Sequence, residues 1–360
     1  MFILDSHCDT PSEIIRGRDL SGGNDFGHVD FPKLKQGEVD GVFFALYLPA
    51  KLDSDPDLAL QYAQKLLFAT KNAVSKLSEN LIFATNCASA HKNKADGKVS
   101  IFLGLENGAP LSPKNDWKKI LHDFYDEGVR YVTLCHTGNN EICDSCAQAV
   151  PRWNGLSPFG REVVAEMNKL GMLVDVSHIS DAAFYDVLEC STKPVVATHS
   201  CCRALADHPR NMTDDMIRAL AAAGGVIQIN FYPLFLDDSF AKVLSESGIQ
   251  ERGELIEKEF IADPSDVAKR TAWNDVQSEL QSLCRPSYKL IADHIDHVVS
   301  MVGIDYVGVG SDFDGIAVTP EGLEDVSMMQ KLFDELRERG YSENDLSKIA
   351  SENFFRVLNR

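Results

Sequence analysis

The sequence predicts an α/β fold in which eight parallel strands and their connecting helices form a TIM-like (β/α)8 barrel. Short apolar runs that are typical of strands alternate with helical patterns along the chain, and eight such runs occur. The runs are nearly continuous in apolar residues, as expected of parallel strands that are buried on both faces. A length of 360 residues is sufficient for one large barrel domain.

The first strand is predicted at residues 2–4, and the other seven follow at intervals through the rest of the chain. They are predicted at residues 41–47, 99–105, 129–134, 172–176, 194–198, 226–230 and 306–310. No glycine-rich phosphate-binding loop follows the first strand, which argues against the main alternative, a doubly wound open sheet.

Helical patterns fill most of the intervals between these strands. They are predicted at about residues 56–77, 161–170, 181–188 and 288–302, with closing helices at about 323–339 and 343–358. Thr213 is a favourable N-cap for one further helix, and Asp214 and Asp215 suit its first turn because they face the positive end of the helix dipole. That helix is predicted to end at Gly224.

Residues 233–285 separate the seventh predicted strand from the next helix. The segment is charged and partly helical, so we interpret it as an insertion that covers the mouth of the barrel. The sequence shows no internal repeat and no low-complexity linker. We therefore predict a single catalytic domain over residues 1–360.

Composition excludes several classes of partner. A formal net charge of −19 argues against binding to nucleic acid or to an anionic lipid surface. No run of 18 apolar residues is present, so no membrane span is expected. The nine cysteines are scattered, and Cys143-x-x-Cys146 has no second pair that would complete a zinc site. Because no secretory signal precedes the first predicted strand, we expect a cytoplasmic protein.

Seven ionisable side chains lie just beyond predicted strands, at the end where barrel enzymes carry their active sites. They come from six strands and are His7, Asp9, Glu106, His136, His178, His199 and Asp312. Residues two apart on an extended chain project from the same side, so His7 and Asp9 should point together while Cys8 points away. Any one of these side chains could simply cap a loop, but the convergence of the whole set predicts a metal centre.

Three imidazoles and two carboxylates from this set would be suitable ligands for zinc, with manganese or iron as alternatives. Five ligands exceed the three that one catalytic zinc needs, and two metal ions sharing a bridging glutamate explain the number better. Such a pair lowers the pKa of a bound water towards ~7 and polarises a carbonyl group. The pattern therefore predicts a metal-dependent hydrolase.

Several motifs occur in an order that resembles the membrane (renal) dipeptidase family. The motifs are Asp-Ser-His-Cys-Asp-Thr-Pro at 5–11, Gly-Leu-Glu-Asn-Gly at 104–108, Asp-Val-Ser-His at 175–178, Thr-His-Ser at 198–200, Pro-Arg-Asn at 209–211 and Gly-Ser-Asp-Phe-Asp-Gly at 310–315. Residues 292–297 and 320–327 are similar too. The resemblance covers nearly the whole chain and is weakest at about 52–98 and 234–282.

The resemblance implies a binuclear zinc centre on an amidohydrolase-like barrel that cleaves dipeptides and related amides. It assigns His7 and Asp9 to one zinc ion, His178 and His199 to the other, and Glu106 to a bridging position. The family members tend to pair, so a homodimer is expected. Unlike the animal members, this sequence shows no signal peptide and no hydrophobic tail for a lipid anchor, so a membrane location is not expected.

The same resemblance places three further residues against the substrate. It implies that His136 faces the scissile carbonyl, that Arg210 binds the free carboxylate, and that Asp312 takes the proton of the catalytic water. The expected reaction is hydrolysis of a dipeptide by a metal-bridged hydroxide, with one zinc ion and His136 stabilising the oxyanion. Tyr232, just beyond the seventh strand, either lines this pocket or serves as a packing aromatic.

Two alternatives remain open from the sequence. One is another amidohydrolase-type enzyme on the same barrel, such as a lactonase, a phosphotriesterase or a deaminase, for which a carboxylate-binding Arg210 would not be required. The other is a non-catalytic metal-binding protein, for which neither Arg210 nor Asp312 would have a purpose.

Overall fold

The computed structural model describes residues 1–24 and 26–359. Within this part of the chain, eight parallel strands form a nearly closed barrel in the order β1-β2-β4-β5-β6-β7-β8-β9. The strands are β1 (Leu4–Cys8), β2 (Gly41–Tyr47), β3 (Leu81–Phe83), β4 (Val99–Glu106), β5 (Val129–Thr133), β6 (Leu173–Asp175), β7 (Val196–Ser200), β8 (Val226–Ile229) and β9 (Val307–Val309). The predicted fold class is confirmed.

The short strand β3 was not predicted. It pairs with the first three residues of β4, ahead of the part of β4 that pairs with β5. It has three residues, all of them apolar, but Ile82 at its centre is exposed, and the strand pairs with β4 alone at the outside of the barrel path.

Two of the predicted strand boundaries are wrong, and both errors concern the candidate site. The first strand was placed at residues 2–4, but β1 runs from Leu4 to Cys8 and contains His7. The sixth was placed at residues 194–198, but β7 continues to Ser200 and contains His199. A polar residue after an apolar run predicts the end of a strand, but His7 and His199 continue their strands, with side chains buried at the barrel mouth.

Helices separate most of the strands and surround the barrel. They are α1 (Thr10–Ile15), α2 (Phe31–Gln36), α3 (Pro56–Lys76), α4 (Cys87–Ala95), α5 (Trp117–Asp126), α6 (Pro158–Leu170), α7 (Asp181–Cys190), α8 (Asp214–Ala222), α9 (Pro233–Leu236), α10 (Asp238–Ser247), α11 (Ile249–Ala262), α12 (Val267–Gln281), α13 (Lys289–Val302), α14 (Met329–Glu338), α15 (Glu343–Ser347) and α16 (Asn353–Leu358). Thr213 caps α8, since its hydroxyl accepts a hydrogen bond from the backbone N–H of Met216 at 3.2 Å. None of the described helices is long and apolar enough to cross a lipid bilayer.

Aromatic side chains fill the part of the barrel interior that lies towards the amino ends of the strands. The rings of Phe43 and Phe102 are stacked with their centroids 4.7 Å apart, and Phe354 from α16 packs against Phe43 at 5.2 Å. Tyr131 lies above them and occupies the space that a side chain at position 104 would take, because a Cβ on Gly104 would lie 2.1 Å from its ring. This filled interior leaves the opposite end of the barrel, at the carboxyl ends of the strands, for a binding site.

The insertion predicted at residues 233–285 forms the helices α9 to α12 between the seventh and eighth barrel strands, β8 and β9. Buried apolar residues of these helices pack together and against Val318, which follows β9. They are Phe240, Leu244, Ile249, Phe260, Trp273, Val276 and Leu280. The segment is therefore held against the loop that leaves the last strand, beside the barrel mouth.

Asp5 joins the first strand to the chain that follows the last one. Its fully buried carboxylate accepts hydrogen bonds from the backbone N–H of Ser311 at 2.8 Å and of His7 at 3.2 Å, and from the Ser311 hydroxyl. Two backbone hydrogen bonds extend this junction, from Asp312 N to the His7 carbonyl at 3.0 Å and from Asp9 N to the Phe313 carbonyl at 2.9 Å. These contacts bridge the seam at which the barrel closes.

Replacing Asp5 with alanine should therefore weaken the whole fold. The change leaves buried donors on His7 and Ser311 without an acceptor, and we expect the free energy of unfolding to fall by about 3 kcal/mol. Urea denaturation followed by circular dichroism would measure the change, with the exposed Glu79→Gln as a control that should stay near the wild-type value. An Asp5→Ala variant as stable as wild type would show that the seam does not depend on this carboxylate.

Candidate metal centre

The five predicted metal ligands converge at the carboxyl end of the barrel. His7 and His199 belong to β1 and β7, Glu106 is the last residue of β4, and Asp9 and His178 follow β1 and β6. All but His178 are buried, and the His178 side chain is only 10% exposed. Residues distant in sequence are thus brought to one point by the parallel arrangement of their strands.

Glu106 lies at the centre of this cluster and faces two groups of side chains. Its Oε2 atom lies 3.4 Å from His7 Nε2, which is in turn 3.5 Å from an oxygen of Asp9. Its Oε1 atom lies 3.1 Å from His178 Nε2 and 3.4 Å from His199 Nε2. One carboxylate oxygen therefore points to each half of the cluster, which is the arrangement of a bridging ligand.

The donor atoms of the cluster fit a metal site. His7 Nε2 and Asp9 Oδ1 are buried without a hydrogen-bond partner among the described residues, and the Nε2 atoms of His178 and His199 approach each other to 2.9 Å. Triads such as His7, Asp9 and Glu106 offer ligand atoms within 4.8 Å of one another. Imidazole nitrogens and carboxylate oxygens converging in this way match the ligands that zinc prefers.

Neighbouring side chains hold the Nδ1 atoms of His7 and His199, whereas His178 Nδ1 has no partner among the described residues. His7 Nδ1 lies 2.9 Å from the Tyr131 hydroxyl, and His199 Nδ1 lies 2.8 Å from the Thr198 hydroxyl, which donates to Asp175 at 2.7 Å. Because the Nδ1 atoms are engaged, the Nε2 atoms of both rings are directed to Glu106. Sequence reasoning did not assign these three supporting residues, although Thr198 and Asp175 lie in motifs that the resemblance includes.

Two residues of the site adopt backbone conformations that are unusual for side chains with a Cβ. His178 has φ = 71° and Asp312 has φ = 65°, both in the left-handed region. Such residues typically cost about 1–3 kcal/mol and are found where the surrounding structure fixes them. The His178 carbonyl accepts from Cys146 N at 2.8 Å, and Asp312 N donates to His7, so both positions are fixed.

Burial keeps two of the imidazoles neutral. It lowers the pKa of His178 and His199 well below the ordinary value, and the nearby Arg210 charge lowers both further. Neutral imidazole is the form that binds a metal ion. For His7, burial acts in the same direction, but the Glu106 and Asp9 carboxylates outweigh it and hold the pKa well above the ordinary value.

The acidic residues repel one another in this buried position. Burial and the negative charge of Glu106 raise the pKa of Asp9 to about 6, and burial together with Asp9 raises the pKa of Asp312. A divalent cation among these carboxylates would stabilise their ionised forms and reverse both shifts. The electrostatics of the site therefore favour occupation by metal.

His136 and Asp312 lie at the edge of the cluster. His136 Nε2 is 4.0 Å from Glu106, and burial and the Arg210 charge lower the His136 pKa to about 3, so its ring is neutral. Asp312 has one oxygen 3.9 Å from His7 Nε2, while Asn230 Nδ2 donates to the other at 2.9 Å. Both groups face a cavity of about 510 Å³ above the cluster.

Arg210 and Tyr232 line the same cavity. The Arg210 guanidinium donates to the His199 carbonyl at 2.8 Å and to the Ser200 hydroxyl at 3.1 Å, while its Nε has no partner among the described residues. Tyr232 both lines the cavity and packs against Phe235, with ring centroids 5.0 Å apart. Tyr232 is thus both a lining residue of the cavity and a packed aromatic, and a contact with substrate stays a prediction.

Comparisons with known proteins agree with this geometry. Residues 1–360 match the family model of membrane dipeptidase, peptidase family M19. Dipeptidase aclJ from Aspergillus oryzae is 32% identical over 92% of this chain and 70% of its own length. An uncharacterized dipeptidase, C965.12 from Schizosaccharomyces pombe, is 31% identical over 99% of this chain and 79% of its own.

Two solved structures share the fold and a quarter of the sequence. The probable dipeptidase PvdM from Pseudomonas aeruginosa superimposes with a TM-score of 0.83 at 25% identity, covering 99% of this chain and 94% of that one. A metallo peptidase from Rhodobacter sphaeroides, solved with a phosphinate mimic of the dipeptide L-Ala-D-Ala, gives a TM-score of 0.77 at 25% identity. That comparison covers 100% of this chain and 99% of the other.

Proposed function

Because this chain belongs to the membrane dipeptidase family, peptidase family M19, we propose that it is a zinc-dependent dipeptidase with two zinc ions per chain. The observation that carries the proposal is the position of Glu106, with one carboxylate oxygen towards His7 and Asp9 and the other towards His178 and His199. His7 and Asp9 would hold one ion, His178 and His199 the other, and Glu106 would bridge them. When bound, such a pair supplies an activated water and polarises the substrate carbonyl.

We assign proton transfer to Asp312. Its carboxylate faces the cavity beside His7, and the hydrogen bond from Asn230 fixes its orientation. In the ionised form it can accept a proton from the attacking water and deliver it to the nitrogen of the leaving amino acid. The backbone of Asp312 is in the left-handed region, a conformation typical of residues that the surrounding structure fixes, which supports the assignment.

His136 is assigned to the developing oxyanion. A neutral imidazole stabilises negative charge on oxygen by donating an N–H hydrogen bond, without a proton transfer of its own. The low pKa of His136, about 3, keeps the ring in that neutral form at physiological pH. The ring is held between Tyr47 and His178, with centroid distances of 4.8 and 4.3 Å.

Arg210 is assigned to the free carboxylate of the substrate. Its backbone and hydroxyl contacts fix the guanidinium at the cavity wall, and the unpartnered Nε leaves donor capacity for a ligand. A planar guanidinium binds a carboxylate through two parallel hydrogen bonds. A lactonase, phosphotriesterase or deaminase on this barrel would have no need of such a group.

The assembly and the cellular location stay predictions. We propose a homodimer, on the resemblance to a family whose members tend to pair. We also propose a cytoplasmic location, which the free thiols of the cysteines support, since thiols persist in reducing compartments.

The metal stoichiometry tests the bridging role of Glu106. Elemental analysis of zinc-reconstituted wild type should find about two zinc ions per chain. Glu106→Gln removes the bridging charge and should lose much of that metal, whereas His122→Gln, at a histidine paired with Glu166 outside the cluster, should retain it. A reconstituted wild type with one ion or none would exclude the binuclear site.

An Asp312→Asn variant separates metal binding from proton transfer. The amide keeps the shape of the side chain but cannot accept the proton, so we expect kcat to fall by ~10²–10⁴-fold while zinc content stays near wild type. The exposed Asp215→Asn is the control and should change neither quantity. Wild-type kcat in Asp312→Asn would remove the assigned role.

An Arg210→Met variant tests recognition of the carboxylate. Loss of a charge-assisted pair should raise KM for free dipeptides by about tenfold or more and remove their advantage over C-terminally amidated dipeptides. Arg218→Met, at a half-exposed arginine on α8, should leave KM unchanged. If wild type cleaves amidated and free dipeptides equally well, no carboxylate clamp operates.

A further inference from the structure

The cavity above the metal-binding cluster has a second polar wall that the assigned mechanism does not use. Arg16 and Glu257 line it together with Ile316 and Ala317. The same four residues line an adjoining space of about 110 Å³, which Arg210 does not border. This wall therefore lies away from the proposed carboxylate clamp and opens into additional room.

Most charges on this wall are already paired. The Arg16 guanidinium donates to Glu13 at 2.6 Å, and Arg18 lies 3.3 Å from Asp314. The side chain of Glu257, on α11, makes neither a hydrogen bond nor an ion pair with any residue that the structure describes, and Arg16 is the positive charge that acts on it most strongly. When Glu13, Arg18 and Asp314, which border the adjoining space, are counted with the wall, one negative charge is in excess, on Glu257.

Burial makes the ionised form of the Glu257 carboxylate less favourable unless a positive group lies beside it. Desolvation raises the pKa of Glu257, and the nearby positive charge of Arg16 only partly opposes the effect. A half-buried carboxylate without a hydrogen-bonded counterpart is unfavourable, and a cationic ligand group would satisfy it. Glu257 therefore has the chemistry of a binding residue for a positive charge.

The assigned substrate position sets which part of a dipeptide reaches this wall. With the carboxylate at Arg210 and the scissile carbonyl at the metal-binding cluster, the first residue extends to the other side of the cavity. Its α-ammonium is attached beside the scissile carbonyl, so it stays close to the cluster. A long side chain of the first residue can continue towards Glu257 and into the adjoining space.

We propose that Glu257 is a specificity-determining residue that binds a cationic side chain on the first residue of the dipeptide. The preferred substrates are then dipeptides that begin with lysine, arginine or a similar long basic residue. The inference rests on the proposed dipeptidase function and adds the substrate class to it. The residue lies in the insertion, where the resemblance to the family is weak.

A substrate series of equal length isolates the charge. Lysyl-glycine, norleucyl-glycine and glutamyl-glycine would be compared on the zinc-loaded enzyme, since norleucine matches the lysine chain without its ammonium. We expect kcat/KM for lysyl-glycine to exceed that for norleucyl-glycine by about tenfold. Glu257→Gln should remove this difference while leaving norleucyl-glycine unchanged, and Glu257→Asp should keep part of it.

The matched control is Glu259→Gln, at an exposed glutamate on the same helix, which should retain the wild-type preference. Equal cleavage of lysyl-glycine and norleucyl-glycine by wild type would overturn the inference, and so would an equal loss for both substrates in Glu257→Gln. Absence of cleavage of every dipeptide would instead contradict the proposed function. The two failures are therefore distinguishable.

Discussion

The site depends on holding a buried carboxylate, Glu106, among groups that compete for the same space. Two imidazoles approach one of its oxygens, while a third imidazole and a second carboxylate lie at the other side. Without a cation, burial and Glu106 raise the pKa of Asp9, burial and Asp9 raise the pKa of Asp312, and donor atoms remain unpartnered. A metal ion on each side of Glu106 would resolve both costs, because it supplies positive charge and ligand bonds together. Fold stability and metal binding are therefore coupled at this residue.

The barrel interior makes this arrangement possible, because side chains on its strands contact the histidine rings and fix their orientation. Tyr131 fits only because position 104 is glycine, and its hydroxyl meets His7 Nδ1 at 2.9 Å. Thr198 connects His199 to Asp175 on the neighbouring strand. Each supporting group is itself fixed by strand pairing, so the rings it orients have little freedom. The precision of the site comes from the packing of the barrel interior.

Much of the fold and of the candidate site could be predicted from the sequence. Parallel strands buried on both faces leave apolar runs, and the barrel places whatever follows those runs at one mouth, so His7, Glu106 and His178 were predicted to meet there from their positions after such runs. The strand boundaries at His7 and His199 were wrong, because a buried polar residue inside a strand looks like the end of that strand. The contact of Tyr131 with His7 could not be predicted from the sequence, because an aromatic residue in an apolar strand is usually a core residue.

The substrate selectivity that we propose for Glu257 was harder to predict, because it depends on contacts between distant segments that no local sequence pattern indicates. Glu257 is one of several glutamates on α11, and the neighbouring residues do not mark it as different. It reaches the cavity because the apolar residues of the insertion, such as Phe260 and Trp273, seat its helices beside the chain that follows β9. The groups that we assign to metal binding and catalysis, by contrast, are carried by the strands and the turns directly after them. A change in the insertion can therefore alter which side chain is accepted while the metal-binding cluster keeps its geometry.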